Sequence, residues 1–172
     1  VDECGVVYVL DVSFGADSKT IFKKWLDEGK SLMWIDHHKG IIEDSKTWGF
    51  VVPGLRRVGT GACALASDLL IGKVPAIVRC LSDYDVWKKE SGLGWDTVVA
   101  VQYALRSKIR LNVLIALSYL YDHFKENMKD NEIDLIFYDL AKEGRAIINY
   151  MACKNEDEVS RYSFEAYVDE VK

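Results

Sequence analysis

Ser31-Leu32-Met33-Trp34-Ile35-Asp36-His37-His38-Lys39 is the stretch whose reading decides the fold of this chain. Its apolar part is continuous rather than alternating, as in a strand buried on both faces of a parallel sheet, and it ends in an acid followed by two histidines. An earlier run, Val6-Val7-Tyr8-Val9-Leu10, has the same character and also ends in an acid, Asp11. Between them, Gly15 opens a loop and Ser18 is suited to N-cap a helix through about Glu28. Ile21, Phe22, Trp25 and Leu26 share one face of that helix, and Gly29 stops it. The two aspartates lie about 25 residues apart, which fits a right-handed strand–helix–strand crossover. Such a crossover places both acids at the carboxyl edge of the sheet, where open α/β sheets bind ligands. The expected fold is α/β: a parallel β-sheet flanked by helices, with a mainly helical C-terminal half.

Downstream of the histidines, Phe50-Val51-Val52 reads as a short strand, and Gly59-Thr60-Gly61 precedes a helix over 62–71. From Pro75 onward the pattern is helical, with segments near 75–82, 95–106, 109–126 and 131–152 separated by glycines or polar breaks. Residues 1–153 are expected to form one domain, and the charged stretch 154–172 a further helix or a linker.

Composition narrows the function classes. A formal charge of −5 and a pI near 5.2 argue against nucleic-acid binding through a broad basic surface. They leave a phosphate substrate open, because bound divalent metals supply local positive charge. No apolar run approaches the ~20 residues of a bilayer span. No secretory signal pattern opens the chain, so a cytoplasmic protein is expected. Cys4, Cys63, Cys80 and Cys153 are scattered without a CxxC pair and read as buried free thiols.

The chemistry concentrates at Asp36-His37-His38. Imidazole together with carboxylate suits Mn, Fe, Co or Zn better than Mg, which prefers oxygen ligands. Adjacent side chains of an extended segment point opposite ways, leaving one histidine for a metal and the other for a substrate. Asp11 ends the neighbouring strand in position to converge with the triplet. Leu81-Ser82-Asp83-Tyr84-Asp85-Val86-Trp87 adds two acids in an apolar setting, where charge is costly unless paired or metal-bound.

In that order, Val9-Leu10-Asp11, then Asp36-His37-His38, then Ser82-Asp83 resembles the second, third and fourth motifs of the DHH metal-dependent phosphoesterases. The likeness covers residues 6 to 90 closely and the helical remainder loosely. It implies that Asp11 bridges two divalent ions, most naturally manganese, that His37 ligates one, and that Asp83 ligates or bridges. It further implies that His38 faces the scissile phosphate while Asp36 orients the histidines. Asp85 competes with Asp83, which is preferred because the family's acid follows a small residue, as Ser82 does here. The implied activity is hydrolysis of a phosphodiester or phosphoanhydride of a short oligonucleotide or cyclic dinucleotide, by a two-metal site. An inorganic pyrophosphatase, or a non-catalytic nucleotide- or metal-binding module, are the alternatives. The implied partners are a phosphate-containing small molecule or short single-stranded nucleic acid, without a membrane, and the apolar helices over 95–126 allow a homodimer.

Gly59-Thr60-Gly61 ahead of a helix offers N–H groups for a phosphate, and Arg56 and Arg57 could clamp phosphate oxygens. An ordinary helix start and solvated loop charges are the bland readings. His123 reads as a packing or capping histidine, and the tryptophans as core, with Trp87 able to stack on a base. Only ten residues precede Asp11, and the family's first acid-x-acid motif is not among them. With the C-terminal companion domain also missing, the chain is expected to be a fragment of a longer enzyme, with reduced or no activity alone.

Overall fold

A computed structural model describes residues 5–109, 112, 114, 115, 118, 119 and 130–162. Both apolar runs form strands, β1 over Val6–Leu10 and β2 over Ser31–Ile35. They pair in parallel, from Val6 against Ser31 to Leu10 against Ile35. A parallel pair needs a crossover connection, and helix α1 (Ser18–Asp27) supplies it after a 3-10 turn at Gly15–Asp17. Ser18 is the first residue of α1 rather than its cap, and its buried hydroxyl accepts the Phe14 N–H at 3.0 Å. There follow α2 (Lys39–Ser45), α3 (Ala62–Ile71), α4 (Ala76–Asp85), α5 (Trp95–Ile109) and α6 (Asp130–Tyr162). The described residues are thus mainly helical, with a small two-stranded parallel sheet.

The strand expected at Phe50–Val52 does not form, and the chain meets β2 a few residues later. Trp34 N–H donates to the Pro53 carbonyl at 2.8 Å, Asp36 N–H to the Leu55 carbonyl at 3.2 Å, and Arg57 N–H to the Asp36 carbonyl at 3.2 Å. Gly54 is needed for this approach: its φ is +133°, and a Cβ there would lie 1.9 Å from the Trp34 carbonyl oxygen. The apolarity of the 50–52 stretch serves packing instead, since Val52 is buried and Phe50 packs beside it.

Two apolar clusters hold the fold. The first joins Val9, Leu32, Ile41 and Val52 to an aromatic group in which Trp34 and Trp48 stack 5.6 Å apart and Phe22 lies 5.0 Å from Trp34. β2 is buried on both faces through Leu32, Trp34 and Ile35, as its sequence suggested. β1 is not: Val9 faces the cluster, whereas Val6, Tyr8 and Leu10 are 50%, 56% and 43% exposed. Only β2 has neighbours along both its edges among the described residues, so the same continuous pattern reads differently in the two strands. The second cluster packs α4, α5 and α6 through Ile77, Cys80, Val98, Val101, Phe137 and Leu140.

Helix α6 runs to Tyr162 and so passes through the expected boundary at 153/154. After Gly144 the chain contains neither Gly nor Pro, and nothing in the charged residues that follow breaks a helix. His123, Cys4 and much of the expected 109–126 helix lie outside the described residues. Cys80 is buried, and burial pushes its thiol up to about 12, whereas Cys63 and Cys153 are exposed, against the expectation of buried thiols throughout. No helix among the described residues is long and apolar enough to cross a membrane.

Gly144 is where α6 comes closest to α5, since a Cβ there would sit 1.7 Å from the Ala100 carbonyl oxygen. Gly144→Ala should therefore destabilise by about 1–3 kcal/mol in urea unfolding, the usual cost of overpacking. Gly40→Ala, with nothing within 4 Å of its Cβ and a helical position in α2, should be neutral or stabilise by about 0.4–1 kcal/mol. Equal effects at the two sites would mean that α5 and α6 do not pack through Gly144.

Candidate metal centre

The β1–β2 register sets the site. Leu10 opposite Ile35 brings Asp11 and Asp36 to the same sheet edge, and the Asp11 N–H donates to the Ile35 carbonyl at 3.0 Å. Asp11 then leaves the strand in the left-handed region at φ +56°, a conformation costing an L-residue roughly 1–2 kcal/mol. Asp36 lies on the face of β2 that carries Trp34 and is fully buried. Its Oδ2 accepts the Trp34 indole N–H at 3.1 Å. Its Oδ1 accepts the backbone N–H of His37 at 2.6 Å and of His38 at 3.0 Å, and the His38 Nδ1–H at 2.7 Å.

Beyond the strand end the two imidazoles converge, with ring centroids 4.5 Å apart. The expectation that they point opposite ways is corrected: the two rings lie side by side, although His38, just before α2 begins at Lys39, keeps an extended backbone at φ −71° and ψ 112°. His37 Nε2 lies 3.0 Å from Asp11 Oδ1 and 3.2 Å from Asp85 Oδ2. His38 has its Nδ1–H committed to Asp36, which leaves Nε2 as a lone-pair donor. Metal-binding histidines are commonly oriented this way, by a carboxylate on the opposite ring nitrogen.

Asp11, His37 and His38 each offer a donor atom, all within 4.8 Å of one another. Carboxylate plus two imidazoles suits a borderline divalent ion, so these residues fit the group that the sequence resemblance implies. Of the two acids at the end of α4, Asp85 is the one that joins the cluster. Asp83 is buried and turned away, accepting a hydrogen bond from the Ser91 hydroxyl, with Lys88 Nζ 3.9 Å from its Oδ1. Asp83, the acid preferred from the sequence, thus lies away from His37, and Asp85 is the acid of α4 beside that ring. Residues two apart on a helix lie about 200° apart around its axis, so only one of the pair can face the histidines.

The glycine segment serves packing. The Gly61 N–H donates to the Ser82 hydroxyl at 2.8 Å, and a Cβ on Gly61 would lie 2.9 Å from Ser82 Cα. That amide is spent on seating α3 against α4, not left for a phosphate. Gly59 occupies the turn before it at φ +79°, and Thr60 is half-buried. Arg56 is also engaged elsewhere: its guanidinium lies 4.8 Å over the Trp34 ring and donates to the Trp34 carbonyl at 3.3 Å. Burial lowers its pKa, opposed by the Asp36 charge. Arg57 is exposed.

Beside the cluster opens a cleft of about 420 Å³, bordered by Asp11 and Asp85 and also by Tyr84, Trp87, Gln102 and Arg106. Trp87 is 67% exposed, against the reading of it as core. Gln102 and Arg106 escaped the sequence reading. Their signal was a polar pair at i, i+4 on a helix whose remaining positions feed the core. No family model matches the chain, and neither does a curated protein or a solved structure.

The His38 pKa is raised above 6.5, first by its hydrogen bond to Asp36 and further by the charges of Asp36, Asp11 and Asp85, while partial burial opposes the shift. Its proton therefore stabilises the metal-free fold fully below about pH 6.5, the unfolded value, and that contribution is lost as pH rises through the folded value. In metal-free protein the His38 ring proton, followed by NMR, should titrate above 6.5, and Asp36→Asn should bring it down. A midpoint unmoved by Asp36→Asn would remove Asp36 as the cause.

Proposed function

We propose that this protein is a metal-dependent phosphoesterase that hydrolyses a nucleotide-derived phosphodiester or phosphoanhydride, as its sequence resemblance to the DHH enzymes implies. One observation carries the reading: Asp11, His37 and His38 converge at the carboxyl edge of a parallel sheet, with the His38 Nδ1–H held by a buried carboxylate. Asp11, His37 and His38 would hold the ion, with Asp85 beside His37. A divalent ion, manganese by its fit to mixed nitrogen and oxygen donors, supplies Lewis-acid charge to a phosphoryl oxygen and lowers the pKa of water.

The chain's own residues do the positioning. Asp36 fixes the tautomer and orientation of His38. Asp11 and Asp85 flank His37 Nε2 and position that ring. Arg106 brings a fixed positive charge to that cleft, where phosphate oxygens can be met by guanidinium donors.

Calorimetry with manganese chloride tests the site, with hydrolysis of a 5′-phosphorylated dinucleotide as the second readout. The parent chain should bind manganese, His37→Ala should abolish binding, and Asp36→Asn should weaken it about 10–100-fold through the loss of His38 orientation. Manganese-dependent cleavage should fall with metal affinity across the series. Manganese bound equally by parent and His37→Ala, or not bound at all, overturns the reading.

A further inference from the structure

We propose that the cleft beside the metal centre is a nucleobase subsite, in which the Trp87 ring stacks on the base while Gln102 and Arg106 meet its edge and its phosphate. This deepens the phosphoesterase reading of the neighbouring residues and rests on it for the placement of the phosphate.

Trp87 is the starting point. It follows the end of α4 by two residues and holds a left-handed backbone at φ +53°. A bulky residue is a true outlier in that region. Asp11 and Trp87 are the non-glycine residues with positive φ among the described residues, and both border this one cleft. Strain of this kind persists where the surroundings over-determine it, and it gathers at ligand sites. Here the surroundings are visible. Trp87 packs against Trp95 at 5.8 Å and against Tyr84 at 6.1 Å, and Tyr84 and Trp95 stack at 5.9 Å with planes 7° apart. The indole is thus backed by two rings while 67% of the residue stays open to solvent. A large aromatic side chain held rigidly and left open is a stacking platform, and a purine or pyrimidine presents the flat, sequence-tolerant face that fits it.

The other walls complete the match. Gln102 offers an amide donor and acceptor for a base edge, and it stands one helical turn from Arg106 on α5. The Arg106 guanidinium lies 5.3 Å over the Tyr84 ring, which holds it at the cleft with its N–H donors available to phosphate oxygens. Asp11, a member of the metal cluster, and Asp85, beside His37, border the same cleft as Tyr84 and Trp87. The volume, about 420 Å³, lies in the range of small-ligand sites. An aromatic platform, an amide, a guanidinium and Asp11 of the metal cluster therefore border one cleft.

Adenosine monophosphate, ribose 5-phosphate and adenosine, each titrated calorimetrically into the full chain with manganese present, test the assignment. The parent should bind adenosine monophosphate about tenfold more tightly than ribose 5-phosphate, the increment expected of one stacked base. Trp87→Leu should bring that ratio close to one and leave ribose 5-phosphate affinity unchanged, while Trp87→Phe should keep most of it. An equal ratio in parent and Trp87→Leu, with manganese and ribose 5-phosphate still bound, overturns the base subsite and leaves the phosphoesterase reading intact. Adenosine binding that is lost in Trp87→Leu, in a chain that fails to bind manganese, supports the subsite while sinking the phosphoesterase reading. A Trp87-dependent dimer of the unliganded chain in sedimentation would overturn the subsite and assign the ring to a contact between copies.

Discussion

A carboxylate without solvent exposure, that of Asp36, sits where the sheet, the aromatic core and the two histidines meet. Burying such a charge costs several kcal/mol even after the surroundings relax. Hydrogen bonds to a charged group return about 1.5–3 kcal/mol each, so a single partner leaves a net cost and several are required. Asp36 has them in the Trp34 indole, the backbone N–H groups of His37 and His38, and the His38 ring. Each of these bonds also fixes something else. The indole bond orients the largest ring of the core, the two amide bonds end the strand, and the ring bond sets the tautomer of a metal-ligand candidate.

The link through Trp34 makes the site and the core one structure. Its ring stacks on Trp48 and packs against Phe22, its outer face carries the Arg56 guanidinium, and its carbonyl lies against Gly54. A displaced Trp34 would therefore disturb the aromatic cluster, the pairing of the 53–57 segment and the carboxylate that holds His38. Such over-determination lets a small two-stranded sheet hold a defined side-chain cluster at its edge, because the positions of Asp11 and His37 are set by packing and register rather than by loop conformation.

The strands, the crossover helix and the convergence of Asp11 with Asp36 could be read from the sequence, since continuous apolar runs, their terminal acids and their spacing are local signals. What could not be read depends on neighbours. Burial of β1 on one face only follows from what covers it, and a continuous apolar run carries no record of that. The pairing of residues 53–57 rests on backbone groups of Pro53, Leu55 and Arg57, whose side chains advertise no strand. The burial of Asp83 was within reach: Ile77 and Cys80 mark the buried stripe of α4, and the next step of three along it is Asp83, leaving Asp85 outside. Ser82, taken as part of a ligand motif, proves to be the small residue against which Gly61 closes.

The charge balance of the cluster gives its own account of what belongs there. Asp11 and Asp85 both face one nitrogen of His37, and a single imidazole nitrogen has at most one proton to donate. Asp36 has its lone pairs committed within the protein, so the charges of Asp11 and Asp85 are the ones left facing the cleft. Arg56, committed to Trp34, and Lys88, beside Asp83, do not neutralise these two carboxylates, and Arg106 is the cation that lines the cleft with them. A bound divalent cation would turn such an acidic edge into one that attracts phosphate. The acidity of the whole chain is then no obstacle to a phosphate substrate, because the sign of the field at the cleft is set by what the cluster holds.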